Sequence, residues 1–236
     1  MRNDVHEITK HYAAALAERG VSPVGVLWPN AHDLATRFEV LLGAIDFSQY
    51  RPSRRAKLLD VGCGPGFLLD YLAKNKLLTR IDYTGVDVTE VTMGHARARW
   101  PDHRFELRDV RDQPFGGEIF DYCIACGVFT ARCGNTFDQM RDLVQDTLKA
   151  LWPSVRLGVG FNVMSKHVDW ERDDLFHWPL DDMMAFCKAN LSRHVCFRLD
   201  YGLWEASALV LKSPIQPRTQ APESWLTPKA DSKSSG

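Results

Sequence analysis

The chain has 236 residues, 45% of them apolar, and its 29 basic and 30 acidic residues leave a formal net charge of -1. That is apolar material for one well-filled domain with additions, and the absence of a basic block or stripe weighs against nucleic acid as a partner. No apolar run approaches the roughly 20 residues of a membrane span, and the opening MRNDVHEITK lacks the apolar core of a signal peptide, so a cytoplasmic location is expected, away from membranes.

Taken in chain order, the pattern first predicts a helix over residues 3–19, where Ala13 to Ala17 is strongly helix-forming and Gly20 suits a stop. VSPVGVLWPN follows as a loop, and a second helix is expected over 31–45, with Leu34, Phe38, Leu41, Leu42 and Ile45 on one face. From Lys57 the chain alternates. Strands are expected near 57–61, 81–87, 103–108, 119–125 and 155–162, with helices near 66–74, 89–99 and 135–150 between them. Such alternation predicts an α/β fold with a mostly parallel sheet wound on both faces. After a helix near 180–190, the runs 193–201 and 204–212 are separated by little more than Gly202. So short a link joins antiparallel strands, since a parallel crossover needs about a dozen residues. The expected organisation is an N-terminal helical cap (1–50), a main domain (51–212) and a Pro/Ser-rich tail (213–236) with Trp225 and Leu226 as its apolar anchors.

The most informative segment is LLDVGCGPGFLL, residues 58–69: an apolar strand, three closely spaced glycines, then an apolar run suited to a helix. Gly62, Gly64 and Gly66 let the backbone bend and let a ligand approach its N–H groups, with the carboxylate of Asp60 at the strand's end. A dinucleotide fingerprint would need glycine at position 67, where Phe67 stands. The pattern is D-x-G-x-G-x-G, in which the acid suits a ligand with an ammonium group. A second strand, IDYTGVD, ends in Asp87, 25 residues past Gly62, near the spacing of a ribose-binding carboxylate. Read alone, Asp87 is better taken as a cap on the helix beginning near Thr89; paired with the glycine turn, it reads as the ribose-binding acid.

With the later segments HRFELRDV (103–110) and IFDYCIA (119–125), these runs resemble the ordered motifs of the class I S-adenosylmethionine-dependent methyltransferases. The resemblance implies a seven-stranded sheet with an antiparallel last strand, and S-adenosylmethionine as cofactor. It assigns Asp60, Gly62, Cys63, Gly64 and Gly66 to the glycine turn around the cofactor, and Asp87 with Val88 to its ribose. Asp109 and Val110 match the positions beside adenine, and Cys126 the edge of the methyl-transfer site. GVF (127–129), FN (161–162) and DYGLWE (200–205) further resemble small bacterial members that act on saccharides or other small metabolites. CIACGVFTARCGNT lacks the N/D-P-P-Y/F signature linked to methylation of nucleobase and glutamine amino groups.

Ligands of open parallel sheets lie beyond the carboxyl ends of the strands. Acceptor-binding candidates there are Arg37, Phe129, Asn162 and Tyr201, with Arg132, Asn135, Ser165, Asp169 and Trp204 near them and Trp28 and Phe38 on helices that could fold over as a lid. Arg37 could clamp an acidic substrate or pair with Asp33 or Glu39. His167 and His177 are the candidates for a catalytic base, because imidazole titrates near neutral pH; packing or surface roles are the alternative. Six cysteines include Cys123-x-x-Cys126, whose odd spacing along a strand points the two thiols to opposite faces and argues against a metal site. The expected activity is methyl transfer to oxygen or nitrogen of a small polar molecule. A non-catalytic protein that binds S-adenosylmethionine or S-adenosylhomocysteine and a nicotinamide oxidoreductase stand as alternatives, the latter disfavoured by Phe67 and the terminal hairpin.

Overall fold

The computed structural model describes residues 2–214; the tail expected to hold Trp225 and Leu226 lies outside the described residues. Two helices, α1 (Asn3–Arg19) and α2 (Ala31–Leu42), precede the first strand. The sheet is built from β1 (Ala56–Val61), β2 (Ile81–Asp87), β3 (Arg104–Leu107), β4 (Phe120–Ala125), β5 (Val155–Ser165), β6 (His177–Trp178), β7 (His194–Arg198) and β8 (Glu205–Leu211). Between them run α3 (Phe67–Lys74), α4 (Glu90–Arg99), α5 (Phe137–Leu151) and α6 (Leu180–Asn190).

The strand order is β3-β2-β1-β4-β5-β8-β7, with β6 added beside the end of β5. Strands β1 to β5 pair in parallel, whereas β8 runs antiparallel to both β5 and β7. The last strand is therefore inserted within the sheet. There are eight strands where seven were expected: the two-residue β6 is too short for a periodicity to register. The second helix also stops at Leu42, where Gly43 ends the run, and Ile45 packs from the loop beyond it.

Alternation along the strands sorts the core into two faces. Leu59, Val61, Cys123, Phe161 and Val210 face the layer of α5 and α6, whereas Leu58, Tyr83, Ile124 and Leu209 face α2, α3 and α4. Cys123 and Cys126 fall on opposite sides, as their spacing requires. Helix α5 starts sharply at a capping box: Thr136 Oγ1 accepts from the Gln139 N–H and Gln139 Oε1 accepts from the Thr136 N–H. Among the described residues no helix is long and apolar enough to cross a membrane.

The chain leaves β1 in one direction through β2 and β3, then returns to build β4 and β5 on the other side. The reversal places a crevice above the carboxyl ends of β1 and β4.

Candidate active site

A cleft opens at that crevice, and its two halves differ in chemistry. Over β1, β2 and β3 it is lined by Asp60, the Gly62–Gly64 turn, Asp87, Val88, Asp109 and Val110. Over β4 and β5 it is lined by Cys126, Gly127 and Val128, and by Val26, Trp28, Leu34 and Phe38 from the N-terminal segment. Tyr12 of α1 and Phe67 at the start of α3 complete the walls.

The acidic half is organised by the glycine turn. Gly62 and Cys63 donate their N–H groups to the Val86 carbonyl, tying the turn to the end of β2. Asp87 then fastens it: Oδ2 accepts from the Gly64 N–H at 2.9 Å and Oδ1 from the Thr89 N–H at 2.8 Å. Each oxygen keeps a lone pair, so this carboxylate can accept two further hydroxyls without giving up its place in the turn. Burial pushes its pKa up, against the pull of those N–H groups. Asp60 is buried at the end of β1 and accepts a hydrogen bond of 2.7 Å from the Tyr83 hydroxyl. Burial raises its pKa to about 7; the Tyr83 bond opposes this and the charge of Asp87 adds to it. A carboxyl held so poorly solvated, with no cation bonded to it among the described residues, is suited to meet a cationic ligand. Cys63 turns its Sγ away into the core against Met93 Sδ, 3.7 Å off, so the cleft meets mainly its backbone.

Asp109 lies at the outer edge of this half, gripped by Arg111: Nε donates to Oδ1 at 3.0 Å and Nη2 to Oδ2 at 2.8 Å. Nη1 of the same guanidinium donates to Asp4 Oδ2 at 2.6 Å and so ties the first turn of α1 across the cleft. Burial pushes the Asp109 pKa up, but the hydrogen bonds and charge of Arg111 outweigh it and leave it below the ordinary range.

The other half is framed by a closed ring of contacts. The Arg37 guanidinium stacks over Trp28, with Cζ 4.0 Å from the ring centroid. Its Nε donates to both carboxylate oxygens of Glu205, at 2.8 and 3.0 Å, and its Nη2 to Oε1. Nη1 is buried with no hydrogen-bond partner among the described residues. Glu205 Oε2 also accepts from Asn162 Nδ2 at 2.6 Å, and Asn162 Oδ1 accepts from the Gly127 N–H at 2.7 Å. Gly127 closes the ring, because Trp28 lies directly on it: a Cβ there would stand 1.9 Å from Trp28 Cζ2, and the backbone φ is 76°. Arg37, Glu205, Asn162 and Gly127, drawn from four parts of the chain, thus fix one indole against the loop after β4.

Nine of the residues expected around a cofactor are brought together in the cleft; Gly66 is not. It caps α3 in the left-handed region, and a Cβ there would press on Trp100 at 3.1 Å, so its place is in the turn itself. The acceptor candidates are redistributed. Arg37 pairs with neither Asp33 nor Glu39, but with Glu205. Phe129 is wholly buried against Phe161, and Asn162 is a buried link in the ring. Tyr201 shares a hydrogen bond of 2.9 Å with Ser207 Oγ, outside the cleft lining.

Both histidines stand away from the cleft. His177 is buried on β6 with Nδ1 2.7 Å from the Ser165 carbonyl oxygen, and Nε2 accepts from the Arg172 N–H. With both ring nitrogens engaged, it packs the edge of the sheet. His167 lines a second, separate cavity with Ser165, Leu199 and Trp204. Arg132 and Asn135 bond to the loop around them.

Residues missed as site components are Glu205, Tyr12 and Arg111. The signal for Glu205 was present: it is the one charged residue of EASALVL, a strand otherwise fit for full burial. Tyr12 and Arg111 carry no comparable mark, since each reads as an ordinary surface position until α1 is laid across the sheet.

A family model described as a methyltransferase domain matches residues 58–152. A Mycobacterium tuberculosis protein assigned as a methyltransferase, Rv1506c, is 34% identical over 159 residues, which span 65% of this chain and 92% of that protein. Among solved structures, magnesium protoporphyrin IX methyltransferase from Synechocystis PCC 6803 with bound S-adenosylmethionine superposes with a TM-score of 0.61 at 12% identity, covering 90% of this chain and 99% of the other. A Burkholderia thailandensis 1,6-didemethyltoxoflavin-N1-methyltransferase, solved with its substrate and S-adenosylhomocysteine, gives 0.54 at 18% identity over 87% and 90% of the two chains. These two likenesses speak for the fold, and the match to the mycobacterial protein, together with the family model, for descent. The chain belongs to the class I S-adenosylmethionine-dependent methyltransferases.

Proposed function

We propose that this protein transfers a methyl group from S-adenosylmethionine to an oxygen or nitrogen atom of a small molecule, with the cofactor held in the acidic half of the cleft. The observation that carries the reading is Asp87, bonded to the glycine turn through one oxygen and to Thr89 through the other, with capacity left on both. In this reading Asp87 and Val88 hold the ribose, the Gly62–Gly64 backbone lies along the amino-acid portion, and Asp60 faces its ammonium group. Asp109 and Val110 border the adenine, and α1, tied down by Asp4 and Arg111, covers it.

The cofactor supplies a methyl on a sulfonium that leaves as a neutral thioether. What the chain adds is alignment of the acceptor beyond Cys126 and exclusion of water by Trp28, Phe38 and Tyr12. Burial raises the pKa of both the Tyr12 hydroxyl and the Cys126 thiol, so at neutral pH they are hydrogen-bond donors and not bases. The reading therefore favours an acceptor nucleophilic enough to need little deprotonation.

Calorimetry with S-adenosylmethionine, S-adenosylhomocysteine and NAD tests the cofactor, and incubation of a small-metabolite extract with methyl-labelled cofactor tests the reaction. Binding of the two sulfur nucleosides without NAD, and label on a small molecule, are expected. Tight NAD binding without the others would overturn the reading, and cofactor binding with no labelled product would point to a non-catalytic binding protein.

A further inference from the structure

We propose that the acceptor is an uncharged, planar ring seated on Trp28, and that Arg37 and Glu205 are positioning residues which hold that indole while cancelling each other's charge. The proposal rests on the reading of the acidic half as the cofactor site, which leaves the half over β4 and β5 to the acceptor.

Charge is the first argument. An acidic acceptor needs a cation in reach, and every cation bordering the cleft in the described residues is already paired. Arg111 is held by Asp4 and Asp109, and Arg108 by Glu106. Arg37, behind Trp28, is matched by the Glu205 carboxylate with two nitrogens engaged. A carboxylate brought beside that neutral pair would be desolvated without compensation. A basic acceptor finds no unengaged carboxylate on this side either, because Glu205 is taken up by Arg37 and Asn162, and Asp60, Asp87 and Asp109 all belong to the opposite half.

Shape is the second. Val26, Trp28, Leu34, Phe38 and Val128 wall this half, and Phe67 and Tyr12 face it from the junction with the other. A polyol such as a saccharide would leave several hydroxyls against those side chains with few partners, each unmade bond costing about 1–3 kcal/mol. A flat ring gains stacking on the indole and loses nothing.

Position is the third. Trp28 sits so close to Gly127 that no side chain fits between them, and Gly127 follows Cys126 just past the end of β4. The indole is therefore fixed relative to the strand ends that frame the cofactor, and a molecule stacked on it is presented at one height and angle.

The test compares three probes on the full chain saturated with S-adenosylhomocysteine: 2-naphthol, 2-naphthoate, which has the same ring with a negative charge, and methyl glucoside. Calorimetric binding of S-adenosylhomocysteine alone, done first, reports on the cofactor reading separately. With that binding in place, 2-naphthol is expected to bind about tenfold or more tightly than 2-naphthoate, with methyl glucoside weakest. Trp28→Ala should weaken 2-naphthol by about tenfold. Glu205→Gln, checked for folding by its melting transition, should turn the preference toward 2-naphthoate by unmasking Arg37, a shift that a purely structural role for Glu205 would not produce. Preference of the wild type for the glucoside or the naphthoate, or 2-naphthol binding indifferent to Trp28→Ala, would overturn the proposal even if Glu205→Gln failed to fold.

Discussion

The two halves of the cleft handle buried charge in opposite ways. Over β1 to β3, Asp60 and Asp87 are sunk in the protein with hydroxyl and N–H donors for partners, and among the described residues no cation is bonded to either. Over β4 and β5 the buried carboxylate is Glu205, and Arg37 and Asn162 meet it from within the chain. Desolvating a carboxylate is costly in both places, but the first half offsets it with neutral donors alone, whereas the second sets a buried cation against it. On the proposed reading the first half leaves its acids for the cofactor, whereas the second sets its charges against each other behind Trp28.

The contrast between the halves depends most on Arg37. Arg37→Ala leaves Glu205 buried with Asn162 alone and should cost about 3–5 kcal/mol of stability, measured by urea unfolding. Replacing the pair together, Arg37→Met with Glu205→Leu, should recover most of that loss, because no uncompensated charge remains. A single mutant as stable as the wild type would mean that the ring holds nothing.

Next in size is Asp87→Ala. On the proposed reading it removes two hydrogen-bond acceptors from the ribose, and it should weaken S-adenosylhomocysteine by about 3 kcal/mol, near a hundredfold by calorimetry. The strand itself is held by its neighbours β1 and β3, so the circular dichroism spectrum should stay native. Unchanged affinity would remove Asp87 from the site.

Gly127→Ala strikes the point where the ring closes on Trp28. The methyl would collide with the Trp28 indole and force a non-glycine residue to hold a φ of 76°. A loss of about 1–3 kcal/mol in urea unfolding is expected, with a blue or red shift of tryptophan emission as Trp28 is displaced.

How much of this the sequence showed follows from distance along the chain. The glycine turn and Asp87 were legible because a strand, a turn and a helix announce themselves within a dozen residues, and a second strand-end acid follows at a set interval. The antiparallel last strand was legible from a single short link at Gly202. The ring around Trp28 was not, since Arg37 and Glu205 are 168 residues apart and meet only when β8 slides in beside β5. Arg37 on its helix resembles any surface arginine, and the helix does not say which face β8 will approach. The histidines misled for the opposite reason: their side-chain chemistry suits a base, but His177 is spent on the Ser165 carbonyl and His167 lies beside another cavity.

The mildest change, Asp60→Asn, separates the two halves by pH. In the folded protein Asp60 keeps its proton up to about pH 7, whereas in the unfolded chain it loses it near the ordinary value of about 3.9. Between those values the folded state binds more protons, so this group's contribution to stability falls as pH rises through that window. The neutral amide of the variant would carry no such penalty. The stability difference between Asp60→Asn and the wild type should therefore be small near pH 4 and grow to at least about 1 kcal/mol in favour of the variant at pH 8. Affinity for S-adenosylhomocysteine should move the other way, rising in the wild type as pH passes 7, where Asp60 ionises to meet the ammonium, and staying lower and flatter in the variant. Tyr83, Cys63 and Asp87 surround the group, and of these the Tyr83 hydroxyl and Cys63 thiol are pushed well above this range, so Asp87 is the neighbour whose substitution would have to be checked in parallel. A stability gap that does not widen with pH would show that Asp60 ionises freely on folding, and the contrast between an acid left for a ligand and an acid matched within the chain would then rest on Asp87 alone.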